Sequence, residues 1–196
     1  MSLWQSLTNS LGLLSGVSDE DLMAKVKYDD HRGAFHALFE RHHKAVFARL
    51  IRMGCDRELA EEVVQDVFLS VFRSRHTYRD ESAFRPWITV MARHRLIDLH
   101  RAHATQSWGQ GIEVDSISDE TDSIEDALIK KEEREIIESG LASLKNTDRE
   151  LVVLWMDDFS YEEISEVVGK SVSAVKFALH QAKKRLVEHG QNRKEI

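Results

Sequence analysis

The sequence has few of the residues that interrupt helices. It contains one proline and nine glycines. It also lacks an Asn-Gly or Asp-Gly pair between alternating apolar runs, the pattern that indicates a β-hairpin. Apolar residues make up 42% of the chain, enough for a buried core. The composition therefore predicts an all-α protein with long, uninterrupted helices.

Cysteine and long apolar runs are also scarce. Cys55 is the only cysteine, which excludes an internal disulfide and a zinc site built from several cysteines. We expect it to be a small buried residue. No run approaches the roughly 18 apolar residues of a membrane span, and residues 1–18 carry no Lys or Arg, the basic start of a signal peptide. These features predict a cytoplasmic protein without membrane insertion.

The chemistry of an enzyme is not evident in the sequence. It has no phosphate-cradling glycine loop and no nucleophile elbow. The ten histidines include an i, i+3 pair, His100 and His103, but a metal site needs three or four converging ligands. The sequence predicts a protein that is not an enzyme and has neither a cofactor nor a metal.

Charge is distributed unevenly along the chain. The formal net charge is −7, which argues against tight, independent binding to DNA. Residues 104–127 hold seven acidic side chains and no Lys or Arg, whereas the segments on either side are close to neutral. This pattern predicts two small helical domains joined by a flexible acidic linker. The predicted segments are an N-terminal extension 1–17, a first domain 18–103, the linker 104–127 and a second domain 128–190.

Helical periodicity organises the first domain. One helix, broken near residues 29–33, is expected between Asp19 and Gly54, a second from Arg57 to Arg73, and a third from Ser82 to His103. In the third helix, Trp87 falls on the apolar side, which favours core packing over base stacking. Its polar side includes Arg85, Thr89, Arg93 and His100. The second helix has an apolar stripe formed by Ala60, Val64, Val67, Phe68 and Val71.

The second domain contains the clearest local signals. Helices are expected over Ile124 to Leu144 and Thr147 to Met156, with Leu151, Leu154 and Trp155 as apolar contacts. Ser160 begins a Ser-x-x-Glu capping box, and Gly169 is a stop signal. Ser171 is the expected N-cap of a final helix to about His189. Two short helices joined by a glycine-containing turn predict a helix-turn-helix.

Both domains resemble one protein family. Residues 59–68 look like the polymerase-docking helix of extracytoplasmic-function (ECF) sigma factors of the sigma-70 superfamily. The run from Phe84 to Arg101 is similar to the promoter-melting helix of that family, and Leu144 to Leu186 resembles its C-terminal domain. The two matches occur in the family's order and are separated by a linker.

The resemblance implies a sigma factor that binds core RNA polymerase and directs initiation at promoters. The first domain would dock on polymerase and hold the −10 element, and the loop Thr77 to Ala83 would capture an unstacked base. The second domain would read the −35 element, and an anti-sigma factor or another regulator is an expected partner. The polymerase-binding residues would be Glu61, Glu62, Gln65, Asp66, Leu69 and Arg73. The −10 residues would be Arg79, Ser82, Arg85, Arg93, His100 and Arg101. The −35 residues would be Ser171, Ser173, Lys176, Phe177, His180, Lys183 and Lys184.

The remaining segments have expected roles as well. The acidic linker would occupy the positively charged channel that otherwise carries RNA, acting through charge and length. Residues 1–16 place Leu3, Trp4, Leu7, Leu11 and Leu14 at helical spacing, which predicts either a partner-binding or autoinhibitory helix or one packed on the protein's own core. The recognition helix carries Phe177 where the family usually has serine, so its promoter sequence is expected to differ. A stand-alone helix-turn-helix regulator and a sigma-like interaction protein remain alternatives. Co-purification with core polymerase, followed by run-off transcription, distinguishes both from a sigma factor.

Overall fold

The computed structural model describes residue 14, residues 16–102 and residues 135–194. Every regular element in these ranges is helical, which confirms the all-α prediction. The acidic linker lies outside the described residues, as do nearly all of the N-terminal extension and the start of the helix expected from Ile124. The predictions made for those segments stay predictions.

The helices belong to two compact units. The first unit contains α1 (Asp19–Asp29), most of α2 (Arg32–Arg52), α3 (Arg57–Arg73), a short 3₁₀ turn (Arg75–Thr77) and α4 (Phe84–Ala102). The second unit contains the described helical residues 135–142 as α5, then α6 (Asn146–Met156), α7 (Tyr161–Val168) and α8 (Val172–Lys194). The segment 49–57 is also assigned to the second unit.

The expected break between the first two helices is present. Ser18 caps α1, because its hydroxyl accepts a hydrogen bond from the Asp21 backbone N–H at 3.1 Å. The helix ends at Asp30, which has a φ of 49° in the left-handed region. An acidic side chain tolerates that conformation better than a β-branched one, so the chain turns here and begins again as α2.

The core of the first unit includes the apolar stripe that the sequence pattern predicted for α3. The predicted stripe of α3 is buried, with Val63 in addition. Phe35 and Phe39 of α2 pack edge-on against Phe68, with ring centroids 6.4 and 4.9 Å apart. Aromatic pairs prefer this geometry because the ring edges are positive and the faces negative. Cys55 is buried as expected, and desolvation raises its pKa to about 12.

The second unit shows the helix-turn-helix that the local signals predicted. The Ser160 hydroxyl accepts from the Glu163 N–H at 3.2 Å, and the Glu163 carboxylate accepts from the Ser160 N–H at 2.8 Å. These reciprocal bonds complete the capping box. Gly169 ends α7 with a φ of 67°, where a Cβ would be strained. Ile164 of α7 and Val175 and Leu179 of α8 lie in the core.

Two residues lie elsewhere than the pattern indicated. Thr89 was expected on the polar side of α4, but it is only 2% exposed because its hydroxyl donates to the Arg85 carbonyl at 2.8 Å. That bond satisfies the polar atom within the helix and allows burial. Trp155 was expected as a core contact of α6, but it is 42% exposed, with the Lys183 ammonium over its ring.

Candidate functional site

The polar side of α3 forms an exposed face in the first unit. Glu62, Leu69 and Arg73 are exposed, and Asp66 is half-buried. Leu69 leaves 51% of its surface accessible amid charged neighbours. An apolar side chain surrounded by charged side chains is typical of protein interfaces, where the rim is polar and the centre is desolvated on binding. Glu61 and Gln65, the other predicted members of this face, are also exposed.

Arg95 of α4 holds the two central carboxylates of that face. Its guanidinium lies 2.5 Å from Asp66 Oδ2 and 3.4 Å from Glu62 Oε1. Its Nε is buried and makes no hydrogen bond within the described protein. The sequence pattern did not point to Arg95, because it lies one helix away in the chain. An arginine beside two acidic residues fixes the position of both carboxylates.

The segment between the 3₁₀ turn and α4 is anchored on the protein. Tyr78 is buried, and its ring packs against Trp87 with centroids 4.9 Å apart. The Lys27 ammonium donates to the Tyr78 carbonyl at 2.9 Å. Arg79 is exposed and Ser82 is half-buried. The loop therefore has a fixed backbone on which the Arg79 side chain faces solvent.

The four predicted −10 residues of α4 differ in accessibility. Arg85 and Arg93 are half-buried, and both make contacts within the protein. Arg101, near the end of the helix, is exposed and lies 3.9 Å from Asp98. His100 is in the helix, but its side chain is outside the described part of the structure. Arg101 is therefore more accessible than Arg85 and Arg93.

The first turns of α8 present the predicted −35 residues to solvent. The Ser171 hydroxyl accepts from the Ala174 N–H at 3.3 Å, so it caps the helix as expected. Ser173, Lys176 and His180 are exposed, and Phe177 is 69% exposed. Val175, Leu179 and Ala182 point into the core on the opposite side. An exposed aromatic ring at the start of such a helix has the shape to contact a thymine methyl group.

Aromatic rings of the preceding helices support two lysines of α8. The Lys183 Nζ lies 3.2 Å from the centroid of the Trp155 ring, and the Lys176 Nζ lies 5.2 Å from that of Tyr161. Burial lowers the pKa of Lys183. Lys184 lies 3.9 Å from Glu188. Cation–π contacts restrict the positions of the two supported lysines on the helix surface.

An apolar groove lies within the second unit, between α5 and the later part of α8. Its volume is about 620 Å³. Ile136, Ile137 and Val187 are exposed along it. The apolar lining includes Ile136, Ile137, Leu141, Met156, Leu186 and Val187.

Metal-binding clusters and membrane-spanning helices are both absent from the part of the chain that the structure describes. Within residue 14 and residues 16–102 and 135–194, no group of three or more His, Cys, Asp or Glu side chains is arranged to hold a metal ion. In the same part of the chain, no helix is long and apolar enough to cross a membrane.

Comparison with known proteins identifies both units. Residues 38–106 match the family model of sigma-70 region 2, and residues 134–186 match that of sigma-70 region 4. RNA polymerase sigma factor CarQ of Myxococcus xanthus is 31% identical over 163 residues, which cover 82% of this chain and 91% of that protein. The chain belongs to the ECF sigma factors of the sigma-70 family.

Solved structures share the fold of this sigma factor. CnrH in complex with the cytosolic domain of CnrY has a TM-score of 0.66 at 23% identity, covering 87% of this chain and 95% of that one. RpoE of Bartonella quintana in complex with the anti-sigma factor NepR has a TM-score of 0.61 at 18% identity, covering 74% and 89%. At this identity the two structures establish the fold alone.

Family membership establishes the general activity of this sigma factor. It binds core RNA polymerase and promoter DNA and directs promoter-specific initiation of transcription. It is not an enzyme, because a sigma factor acts by recognition and leaves the chemistry to the polymerase. The α3 face, the loop after the 3₁₀ turn and the start of α8 are therefore candidates for the contacts that this activity requires.

Proposed function

We propose that the α3 face is the polymerase-docking surface of this sigma factor. The observation that supports it most directly is the pair of carboxylates, Glu62 and Asp66, held by Arg95 beside the exposed Leu69. A complementary basic surface on the polymerase would be steered to these charges, and Leu69 would be desolvated on contact. Glu61, Gln65 and Arg73 complete the face.

We propose that the first unit captures the −10 element through the loop Tyr78 to Ala83 and the cations near it. Extruding a base from the duplex costs a few kcal/mol. The exposed Arg79 and Arg101, with Arg85 and Arg93, offset part of this cost by contacting phosphates. Ser82 contributes a hydroxyl of the loop itself, and His100 belongs to the same predicted set.

We propose that the start of α8 reads the −35 element. Ser171 and Ser173 lie where the first backbone N–H groups of the helix can face a phosphate. Lys176 and Phe177 come next on the exposed side, at the positions where a recognition helix reaches base edges. His180, Lys183 and Lys184 follow along the helix and are assigned to the flanking phosphates.

The test uses the full-length chain, core polymerase and promoter fragments. Wild-type protein is expected to bind core polymerase and to select specific fragments from a pool randomised at −10 and −35. Arg79→Ala is expected to weaken strand opening with little effect on core binding. Lys176→Ala is expected to weaken binding to duplex fragments that carry the −35 element. If both variants behave as wild type, the assignment of these two DNA contacts is wrong.

We further propose that an anti-sigma factor regulates this protein and that the apolar groove of the second unit receives an apolar helix of that partner. RpoE, which shares the fold, is known in complex with an anti-sigma factor. The mainly apolar lining favours a hydrophobic peptide face over a phosphate group as the occupant. Val187→Ser is expected to weaken the complex with that regulator while leaving −35 binding unchanged.

We also propose that the protein acts in the cytoplasm. The support is its family activity, since core RNA polymerase and promoter DNA are its ligands. Fractionation of cells followed by immunodetection tests this placement. Recovery of the protein with the membrane fraction in the absence of any regulator would contradict it.

A further inference from the structure

Two consecutive residues at the end of α1 hold the loop Tyr78 to Ala83. The Lys27 ammonium donates to the Tyr78 carbonyl and to Asp80 Oδ1, each at 2.9 Å. The Tyr28 hydroxyl donates to the other carboxylate oxygen of Asp80 at 2.6 Å. The loop is therefore bound at two points by residues about fifty positions earlier in the chain.

The ends of the loop are fixed independently. The buried Tyr78 donates its hydroxyl hydrogen bond to the Ser82 carbonyl, which closes the loop on itself. The Phe84 N–H, at the start of α4, donates to Glu20 Oε1 of α1 at 3.0 Å. Between these anchors the Arg79 side chain is exposed. Helix α1 thus determines the shape of the loop and leaves one face of it open to a ligand.

Charge strengthens these contacts at neutral pH. The hydrogen bond from Tyr28 and the interaction with Lys27 lower the pKa of Asp80, so its carboxylate is ionised. Contact with Asp80 raises the pKa of Lys27, which stays protonated. Hydrogen bonds to ionised groups are shorter and stronger than neutral ones. Tyr28 keeps 65% of its surface exposed, so its hydroxyl makes the contact without burial of the ring.

We propose that Lys27 and Tyr28 are positioning residues that hold this loop in the conformation that receives an unstacked base of the −10 element. The proposal rests on the assignment of the loop to −10 recognition made above. A loop that is already ordered does not lose further conformational freedom when it binds, so more of the contact energy is available for extruding the base. Neither residue needs to touch DNA, because both act through Asp80 and Tyr78.

The test combines three substitutions in the full-length chain. Tyr28→Phe removes only the hydroxyl, and Lys27→Met removes the ammonium. Lys25→Met is the matched control, since Lys25 is an exposed lysine of the same helix. Each variant is assembled with core polymerase on a promoter fragment selected by wild-type holoenzyme and labelled with 2-aminopurine in the −10 non-template strand. Core affinity, thermal unfolding, opening rate and base preference at −10 are measured.

Tyr28→Phe and Lys27→Met are expected to slow opening and reduce base preference by about threefold to tenfold each, the scale of a typical intramolecular hydrogen bond. Core affinity, thermal unfolding and the Lys25→Met control are expected to match wild type. Adding Asp80→Asn to Tyr28→Phe is expected to cost less than the sum of the two single changes, because both remove the Tyr28–Asp80 bond and only Asp80→Asn also weakens the contact with Lys27. A purely structural role would instead lower thermal stability and leave base preference unchanged.

A variant of the loop itself separates the positioning role of Lys27 and Tyr28 from the assignment of the loop to −10 recognition. Arg79→Ala combined with Ser82→Ala alters the loop and leaves α1 intact. If this variant slows opening while Tyr28→Phe does not, the positioning role is wrong and the −10 assignment stands. If neither variant affects opening, the −10 assignment fails and the positioning role fails with it. Should Lys27→Met fail to fold, Tyr28→Phe decides the question, since it changes one atom of an exposed side chain.

Discussion

The proposed recognition elements of the two units of this sigma factor are held by different kinds of polar contact. In the first unit, ion pairs join residues more than twenty positions apart, such as Arg41 with Asp19 at 2.8 Å and Lys27 with Asp80 at 2.9 Å. In the second unit the hydroxyls of Ser160 and Ser171 bond within three residues, at the starts of their own helices. The second unit also has longer-range contacts, such as Arg185 with Asp148 and Ser139 with His189.

This difference fits the two recognition tasks that we propose. A −35 element is a rigid duplex, and a helix whose first turn is capped presents its side chains to the major groove without further support. A −10 base has to leave the duplex and enter a shaped loop. Within the loop the Ser82 N–H donates to the Arg79 carbonyl at 2.9 Å, and side chains of α1 hold the loop at Tyr78 and Asp80. Long-range polar contacts therefore hold the proposed −10 loop, whereas a local cap begins the proposed −35 helix.

The largest expected effect concerns the acidic face of α3. Replacing both Glu62 and Asp66 by Lys reverses charges that are proposed to meet a basic polymerase surface. The expected loss of core affinity is about 100-fold, because like charges facing each other across an interface cost several kcal/mol. Titration of labelled core polymerase measures it.

The control for that experiment is Glu40→Lys, which changes an exposed acidic residue of α2. It is expected to leave core affinity within about twofold of wild type, as for a surface charge outside the contact. Circular dichroism checks that helicity is unchanged in both proteins. If the double variant binds core polymerase as tightly as the control, the α3 face is not the docking surface.

The second largest effect is expected in −35 binding by the second unit. Lys176→Ala is expected to cost about 1–3 kcal/mol in −35 binding if the lysine reads a base, with relaxed preference at that position. If it contacts only phosphate, affinity falls equally on all promoters and the salt dependence decreases. Binding titrations at two salt concentrations, on matched and altered −35 sequences, distinguish the two. Opening of the −10 element on a pre-bound promoter is expected to be unaffected by the change.

Sequence patterns predicted the second unit better than the loop of the first. The capping box at Ser160 and the stop at Gly169 depend on residues close in the chain, so local chemistry is sufficient to find them. The buried stripe of α3 was predictable for the same reason. Tertiary contacts are not encoded locally. The Arg95 bridge to Glu62 and Asp66, and the bonds from Lys27 and Tyr28 to Asp80, join segments that only folding brings together.

The exposed side of α8 shows a second limit of sequence patterns. Its apolar spacing predicted which side is buried, and Val175, Leu179 and Ala182 lie in the core. It did not predict that Trp155 would be half exposed beneath Lys183. A tryptophan on an apolar stripe has enough surface to pack on one side and support a cation on the other. Only the positions of both helices show which side is used.

A smaller effect is expected from the local contacts of the second unit. Ser160→Ala removes the capping hydroxyl and is expected to cost about 1 kcal/mol. The loss should be confined to α7, so hydrogen exchange of residues 161–168 is expected to accelerate while exchange in α1 is unchanged. Ser165→Ala serves as the comparison, because that hydroxyl bonds the Lys170 carbonyl at the other end of the helix. Equal acceleration in both units would show that the second unit is not stabilised locally.

The smallest effect concerns the acid sensitivity of the first unit. The pKa of Asp19 is lowered, chiefly by the hydrogen bond from His42 and also by Arg41. The reference pKa of an aspartate in the unfolded chain is 3.8. A folded-state pKa below that reference stabilises the fold at any pH above 3.8. This stabilisation is lost as the pH falls through the lower, folded-state pKa. Urea unfolding between neutral pH and about pH 3 is therefore expected to show a steeper loss of stability for wild type than for Asp19→Asn. Because the carboxylate is partly exposed and screened by water, the difference should be modest. If the free energy of unfolding depends on pH in the same way for the two proteins, the contacts of Asp19 with α2 contribute no net stability. The contrast between long-range and local polar contacts would then be geometric, with no energetic consequence.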